Sequence, residues 1–312
     1  MHLKTALVGY TGFVGSNIDA KGNFDSKYNS KNIEEAFSTN PDILLYAGIR
    51  AEKYIADKFP ERDFNSILNA IENIKKINPK TLILISTIDV YNAPVNVYED
   101  SHINKQDLKP YGKNRLFLEE WVEENFEHYC IVRLPGLFGR NIKKNFIYDF
   151  ITRIPKLLTV DKFHELTLRE NQLMNFYHLN SNGFYECNEL SILEKEKLLH
   201  ILDKVNFSAL NFTDSRACYQ FYNLSHLYND IQTALSAGIH KINLATEPVK
   251  ISELYEYLTG QKFVNEISQF PANYNFKTHY ASNFNCQVPY ISDKATILSE
   301  IKCFVESMLK NV

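Results

Sequence analysis

The feature that most constrains this chain is the turn Gly9-Tyr10-Thr11-Gly12-Phe13-Val14-Gly15, set between two apolar patterns. Leu3 to Val8 is a β-biased apolar run, and Phe13, Val14 and Ile18 begin a helical stripe. A buried strand that turns directly into a helix needs a tight reversal at Gly9, an open backbone at Gly12, and close helix–strand packing at Gly15. Glycines at this spacing bring the N–H groups of a helix N-terminus toward a pyrophosphate. The turn therefore reads as a dinucleotide site made of Gly9, Tyr10, Thr11, Gly12, Phe13, Val14 and Gly15.

Beyond the turn the chain keeps a βα rhythm. Asn23 to Lys27 reads as a second strand, Asp42 to Gly48 as a continuous apolar strand, and Asp63 to Ile77 as a helix with Phe64, Ile67, Leu68, Ile71 and Ile74 at helical spacing. Thr81 to Ser86 is a further buried strand. Pro110 precedes a helix from Tyr111 to Asn125, and Tyr129 to Leu134 is a strand stopped by Pro135-Gly136. Continuous apolar strands alternating with amphipathic helices specify an α/β fold, a doubly wound parallel sheet of Rossmann type. Past Arg140 the rhythm is lost. Residues 1–154 with about 219–248 are expected to form the dinucleotide-binding domain. An insertion or cap at 155–218 and the stretch 249–312 are expected to form a smaller, interleaved C-terminal substrate domain.

Bulk properties narrow the partners. In 312 residues, 45% are hydrophobic and the net charge is -3, which argues against nucleic acid as a main partner. Apolar runs such as Leu82 to Ile85 are too short to span a bilayer, and no basic-then-apolar leader precedes the first strand, so a cytoplasmic location is expected. The five cysteines and the scattered histidines have no metal-ligand spacing, and no metal is expected.

The chemistry gathers at strand ends. The fourth strand delivers Ser86-Thr87-Ile88-Asp89-Val90-Tyr91 at its C-terminal end, where ligands bind in open α/β sheets. Tyr111 and Arg115, four apart, share a helix face, and a cation beside a phenol is expected to lower its pKa toward neutrality. A Thr87 hydroxyl would hold the substrate oxygen with which Tyr111 exchanges a proton. These are the parts for hydride transfer between a nicotinamide and a carbonyl or alcohol.

In this order and spacing the motifs resemble the extended short-chain dehydrogenases/reductases, the superfamily of NAD-dependent epimerases and dehydratases, nearest to nucleotide-sugar reductases of the dTDP-4-dehydrorhamnose reductase type. The residues that carry the resemblance are Gly9-x-x-Gly12-x-x-Gly15, Ser86-Thr87-x-x-Val90-Tyr91, Pro110-Tyr111-Gly112 with a basic residue four beyond the tyrosine, Val132-Arg133-Leu134-Pro135-Gly136-Leu137-Phe138-Gly139, and Asn243-Leu244-Ala245-Thr246. The resemblance implies Thr87, Tyr111 and Arg115 as catalytic residues. It implies Asn65, Ala47, Gly48, Ser86, Leu134, Pro135 and Leu137 beside the cofactor, and Asn145 with Asp89 and Val90 near a nucleotide-sugar substrate. It also implies a homodimer through the helices Asp63 to Ile77 and Tyr111 to Asn125. The activity implied is NAD(P)-dependent reduction or oxidation of a sugar in surface-polysaccharide synthesis. The alternatives are a nucleotide-sugar epimerase and a non-catalytic NAD(P)-binding sensor or scaffold.

Three departures from the family pattern stand out. Arg115 replaces the family's lysine, and an arginine cannot relay a proton by losing one. Ile88-Asp89 stands where related dehydratases carry Asp-Glu, leaving Asp89 as a base or as a strand-end acceptor. Tyr219 stands where an arginine often meets the nucleotide diphosphate, and Arg216 is the candidate substitute. For the cofactor, Asp25 at the end of the second strand would take the ribose of NAD, whereas Ser26 and Lys27 would meet the 2′-phosphate of NADP, toward which the compressed spacing leans; a solvated turn is the third reading. Arg50 reads either as a phosphate contact or as part of a surface charge cluster.

Overall fold

The computed structural model describes residues 2–310, apart from the side chain of Tyr54. Its contacts divide the chain into two units. The first comprises the residues through Ile142, Cys218–Val249 and Asn273–Ile301; the second comprises Lys143–Ala217, Lys250–Ala272 and the chain beyond Ile301. Residues 273–301, read from sequence as part of the substrate domain, thus group with the sheet. Among the described residues no helix is long and apolar enough to cross a membrane.

The first unit is built on a six-stranded sheet in which every pairing is parallel. Its strands are β1 (Thr5–Val8), β2 (Ser26–Tyr28), β3 (Ile43–Tyr46), β4 (Thr81–Thr87), β5 (Tyr129–Leu134) and β12 (Lys241–Asn243), in the order β12-β5-β4-β3-β1-β2. The connections run outward in opposite directions from β1 and β3, so the crevice at their C-terminal ends is a topological switch point, the ligand position of an open α/β sheet.

Helices cover both faces because successive strand residues point to opposite sides. Leu7, Leu45, Ile83 and Val132 face α1 (Phe13–Asp19) and α8 (Leu227–Ser236), meeting Ile18, Leu227 and Ile231. Ala6, Val8, Leu44, Leu82, Leu84 and Ile131 face α3 (Pro60–Ile77) and α4 (Pro110–Asn125), meeting Ile67, Ile71, Ile74, Leu118 and Val122. Burying each such side chain stabilises the fold by roughly 2 kcal/mol, which is why a run without internal alternation settles as a doubly covered strand. The short helix α2 (Lys53–Lys58), which the sequence reading did not anticipate, precedes α3. The strands β6 (Gly136–Phe138) and β11 (Phe221–Asn223) form a parallel pair beyond the main sheet.

The second unit contains α5 (Phe146–Thr152), β7 (Leu157–Leu158), α6 (Val160–Arg169), β8 (Tyr177–Leu179), β9 (Tyr185–Cys187), α7 (Ile192–Lys204) and α9 (Ile251–Thr259). Its three strands form an antiparallel sheet in the order β7-β9-β8. Phe163, Leu166, Leu173, Phe176, Leu198, Ile201 and Leu202 make a core of their own. The short strands β10 (Cys218–Tyr219) and β13 (Val249–Lys250) and the helix α10 (Lys294–Leu309) complete the element list.

Candidate active site

The glycine turn leaves β1 at the switch point. Gly9 has φ +92°, and a Cβ on it would lie 2.4 Å from the carbonyl oxygen of Ala47, so only glycine brings β1 and β3 this close. A Cβ on Gly15 would lie 2.1 Å from the carbonyl oxygen of Gly9, which fixes how deeply α1 seats on the turn. Gly12 differs. A Cβ there would meet only the Gly9 carbonyl oxygen, at 3.3 Å, and would otherwise fill open space. Gly12 is also the N-cap of α1 and offers no side-chain acceptor to the first-turn N–H groups. A small cradle lined by backbone donors and kept open by a missing Cβ fits the pyrophosphate of a dinucleotide. Asn17 holds the helix in place by donating to the carbonyls of Phe13 and Arg140, both at 2.8 Å.

Two strands away, β4 carries its apolar run as far as Thr87 and ends in a single 3-10 turn, Ile88–Val90, where Thr87 Oγ1 accepts from the Asp89 N–H at 3.2 Å. Pro110 opens α4, and the Tyr111 N–H, an orphan donor of the first turn, reaches Asp57 Oδ1 at 3.3 Å. Tyr111 is buried, and Thr87 stands close enough to act on its phenol, so the two residues singled out from sequence come together at the strand end. The phenol's pKa is raised, against the expectation from sequence. Burial penalises the phenolate most, the nearby Arg115 charge opposes this, and Asp89 reinforces it.

The Arg115 guanidinium carbon stands 4.1 Å from the Tyr111 ring centre. Its two arms are occupied: Nη1 pairs with Asp63, and Nη2 donates to the Arg50 carbonyl at 2.8 Å. Asp63 also accepts from Asn114 Nδ2 at 2.8 Å. Beside them, Lys53 Nζ lies 2.7 Å from Asp89 Oδ1, to which the Tyr274 hydroxyl donates at 3.3 Å. Burial by itself would lower the Lys53 pKa, but Asp89 and Tyr274 outweigh it and the net direction is upward. Tyr274 is pushed up to about 12, by burial first and by Asp89 second, and its ring stacks on Tyr219 at 5.5 Å.

Behind the strand end lies a buried polar chain. Ser86 donates to Glu119, Glu119 accepts from Arg133 Nε and Nη2 at 3.1 and 2.6 Å, and Arg133 Nη1 reaches the Tyr91 hydroxyl at 2.6 Å. Arg133 and Glu119 are both almost wholly inaccessible to solvent, so the pair satisfies each other's charge and ties α4 to β5. Sequence reasoning missed Glu119, Asp63, Asp57 and Tyr274. For Glu119 the signal is there: a charged residue, Arg133, inside the apolar strand Tyr129–Leu134 demands an anionic partner.

Several residues read from sequence sit elsewhere. Asp25 does not end the second strand. The strand begins at Ser26, pairs Ala6 with Ser26 and Val8 with Tyr28, and so puts Asp25 at the edge opposite the glycine turn. There it accepts from the Thr5 N–H at 2.8 Å and from Thr5 Oγ1 at 3.0 Å, and pairs with His2 at 2.8 Å; the His2 hydrogen bond first, and those from Thr5 next, hold its carboxyl down to about 2. Ser26 shares that edge, and Lys27 lies within β2, paired with Asp19 at 3.1 Å. Asn65 is exposed on α3, whereas Asp63 is the residue of that helix that reaches Arg115. Val90 is fully buried in an apolar cluster with Ile88 and Phe276 and presents nothing to a substrate. The Ser86 hydroxyl is turned inward to Glu119.

Ala47 and Gly48 follow the end of β3 at the switch point, and Leu134 ends β5 opposite Thr87, followed by Pro135 and Leu137. The Arg50 side chain is exposed, while its carbonyl holds Arg115. Asn145 and Arg216 belong to the second unit. Asn145 Oδ1 caps α5, accepting from the N–H groups of Ile147 and Tyr148. The fork of Arg216 is taken by Asp214 at 2.9 and 3.0 Å, Glu266 at 3.0 Å and the Ser268 carbonyl at 2.6 Å. An arginine so paired has little charge left for a diphosphate.

Comparison with known proteins agrees with this architecture. The chain is similar over nearly its whole length to three solved structures. They are RMD from Pseudomonas aeruginosa complexed with NADPH (15% identity, 99% of this chain and 100% of that one, TM-score 0.62), UDP-glucose 4-epimerase from Thermotoga maritima with UDP-glucose (15%, 99% and 99%, 0.61), and dTDP-4-dehydrorhamnose reductase from Bacillus anthracis in complex with NADP (13%, 100% and 100%, 0.62). At these identities the likeness is one of fold. No curated protein matches the chain. The model of the NAD dependent epimerase/dehydratase family matches residues 26–186. With the match spanning half the chain, and with a glycine turn, Thr87 and Tyr111 placed along one sheet edge, the chain belongs to the NAD dependent epimerase/dehydratase family.

Proposed function

We propose that this chain is an NAD(P)-dependent oxidoreductase that reduces a ketone on a nucleotide-linked sugar or oxidises the corresponding alcohol, within surface-polysaccharide sugar synthesis in the cytoplasm. The observation that carries the reading is the buried Tyr111 phenol, with the Arg115 guanidinium over its ring, brought beside Thr87 at the C-terminal edge of the sheet. When bound, the nicotinamide supplies the hydride or accepts it. Thr87 holds the substrate oxygen, Tyr111 gives that oxygen its proton in the reductive direction, and the Arg115 charge stabilises the phenolate left behind. Net reduction suits a tyrosine held as phenol, because a protonated residue is ready to donate. The solved structures of similar fold that hold NADPH, NADP or UDP-glucose support a nicotinamide and a nucleotide sugar as the ligands.

NADP is the favoured cofactor. β2 ends at Tyr28, whose carbonyl accepts the Gly9 N–H at 2.7 Å, and the residues leaving the strand beside the turn are Asn29, Ser30 and Lys31, with no carboxylate among them. A lysine and a serine there suit a 2′-phosphate better than a bare ribose. The homodimer is proposed through α3 and α4, where Phe64 and Phe117 form an edge-to-face pair with centroids 5.1 Å apart and Leu68 and Phe117 remain about two-fifths exposed.

The experiment is to incubate the purified chain with NADPH and a panel of nucleotide-linked 4-ketosugars, following loss of the reduced nicotinamide. Turnover that disappears in Tyr111→Phe while NADPH binding persists supports the oxidoreductase. Interconversion of UDP-glucose and UDP-galactose without net cofactor change would favour an epimerase. NADPH binding with no turnover on any of these would favour a sensor or scaffold, a reading that the fully committed Arg115 fork supports.

A further inference from the structure

Arg115 occupies the position where the family's lysine is expected, and its surroundings are not those of a mobile ammonium. A lysine carries one compact charge on a flexible stem, whereas a guanidinium is a planar fork whose arms fix its orientation. Here both arms are fixed, one by Asp63 and one by the Arg50 carbonyl. Asp63 cannot swing away, because Asn114, the residue before Arg115, donates to the same carboxylate at 2.8 Å. The ion pair is buried on both sides, so its geometry is not shared with solvent. The result is a guanidinium laid over the Tyr111 ring, 4.1 Å from its centre.

We propose that Asp63 is a positioning residue for Tyr111: its carboxylate draws the Arg115 guanidinium onto the face of the phenol ring and offsets part of that charge, so that the resting residue is kept as a proton donor. The arrangement tolerates arginine at this position because α3 brings a carboxylate to meet it. The other groups facing the phenol are arranged compatibly. Thr87 comes from the end of β4, Asp89 from the turn after it and Lys53 from α2, and Lys53 is itself neutralised by Asp89 at 2.7 Å. Tyr274 donates to that same carboxylate. Both cations near Tyr111 thus carry their own anions, and the Asp63 pair is the buried one.

The inference rests on Tyr111 as the proton-exchanging residue, yet its test needs neither substrate nor cofactor. The full-length protein is labelled with ¹³Cζ-tyrosine, the Tyr111 resonance is assigned with Tyr111→Phe, and its titration is followed in wild type, Asp63→Asn, Asp63→Glu and Asp63→Asn/Arg115→Gln. Removing the carboxylate frees the guanidinium, and the Tyr111 titration is expected to fall by roughly one pH unit in Asp63→Asn. Asp63→Glu, which restores the anion, is expected to return it to the wild-type position. The double variant, with the guanidinium gone and Lys53 still paired with Asp89, is expected to titrate above wild type. A purely structural Asp63 would leave the titration of a folded Asp63→Asn protein unmoved, and that result, or an equal fall in the double variant, overturns the proposal. Should Asp63→Asn not fold, the double variant, which buries no lone charge, decides: titration above wild type supports the proposal and titration at or below it overturns it. Failure of hydride transfer on every substrate tried would count against the proposed activity and would leave this titration result standing.

Discussion

A Cβ on Gly112 would stand 2.0 Å from the carbonyl oxygen of Asp89, so the first turn of α4 rests directly on the turn that follows β4. This contact carries Tyr111, one residue earlier, to the strand end that carries Thr87. Gly112→Ala is expected to push the two elements apart at a cost of roughly 2 kcal/mol, as overpacking usually does. Urea unfolding would read the loss of stability, and hydride transfer would fall with it because Thr87 and Tyr111 would no longer meet.

Thr87→Val keeps the shape of the side chain and removes its hydroxyl. Loss of one positioned donor in a buried site commonly costs on the order of a hundredfold in rate. Turnover is expected to fall by about that factor with NADPH affinity unchanged, and Thr87→Ser should restore most of it. Equal rates for valine and serine variants would remove Thr87 from the mechanism.

Lys31 leaves β2 on the side of the glycine turn, and Asp25 does not. Lys31→Glu is accordingly expected to weaken NADPH binding by about tenfold or more, the effect of roughly 1.4 kcal/mol, while NADH binding changes little. Asp25→Asn should alter neither affinity. Fluorescence titration of the two reduced cofactors checks both statements.

Asp149, on α5, is raised to about 7 by burial. A carboxyl whose folded pKa lies above its ordinary 3.8 contributes stability that is complete below about pH 4 and is lost as the pH rises through about 7. Asp149→Asn should therefore leave stability almost unchanged near pH 4 and raise it by about 2 kcal/mol near pH 8, after allowance for partial solvent screening. Guanidinium unfolding at the two pH values measures the difference.

Phe117 is expected to be an interface residue. Phe117→Lys places a charge at the centre of the α3–α4 face while leaving the inward-facing Leu118 and Val122 untouched. Light scattering should find a monomer for Phe117→Lys and the proposed dimer for the wild type, with the unfolding midpoint of the monomer little changed. A wild-type monomer at micromolar concentration would remove the proposed dimer.

Much of the sheet was legible because its strands are written as uninterrupted apolar runs. Thr81 to Ser86 and Tyr129 to Leu134 match β4 and β5 within a residue, and the helix ending at Ile77 matches to its last turn. β2 was not legible. Three residues long, with only Tyr28 buried, it has no periodicity to fix its ends, and its register is set by pairing with Val8. A shift of one residue at its end and of three at its start was enough to put Asp25 on the wrong edge of the sheet. Asn65 and Asp63 illustrate a similar limit on α3: two residues apart, they differ by about 200° around the helix, and only the packing of α4 decides which one faces inward.

By itself the sequence determined the alternation of strands and helices, the glycine turn, and the presence of Thr87 at one strand end and Tyr111 at one helix start. Those follow from local physics: apolar periodicity, the steric freedom of glycine, and the fixed geometry of a helix entered through proline. The tertiary structure decided the charges. Whether Arg115 faces the phenol as a free cation or as one half of a buried pair depends on Asp63, 52 residues away. Whether Tyr111 is drawn toward ionisation or away from it depends on burial against that cation's pull. Such balances are sums over neighbours that only folding assembles, because a charge is felt through space and through the medium around it, not along the chain.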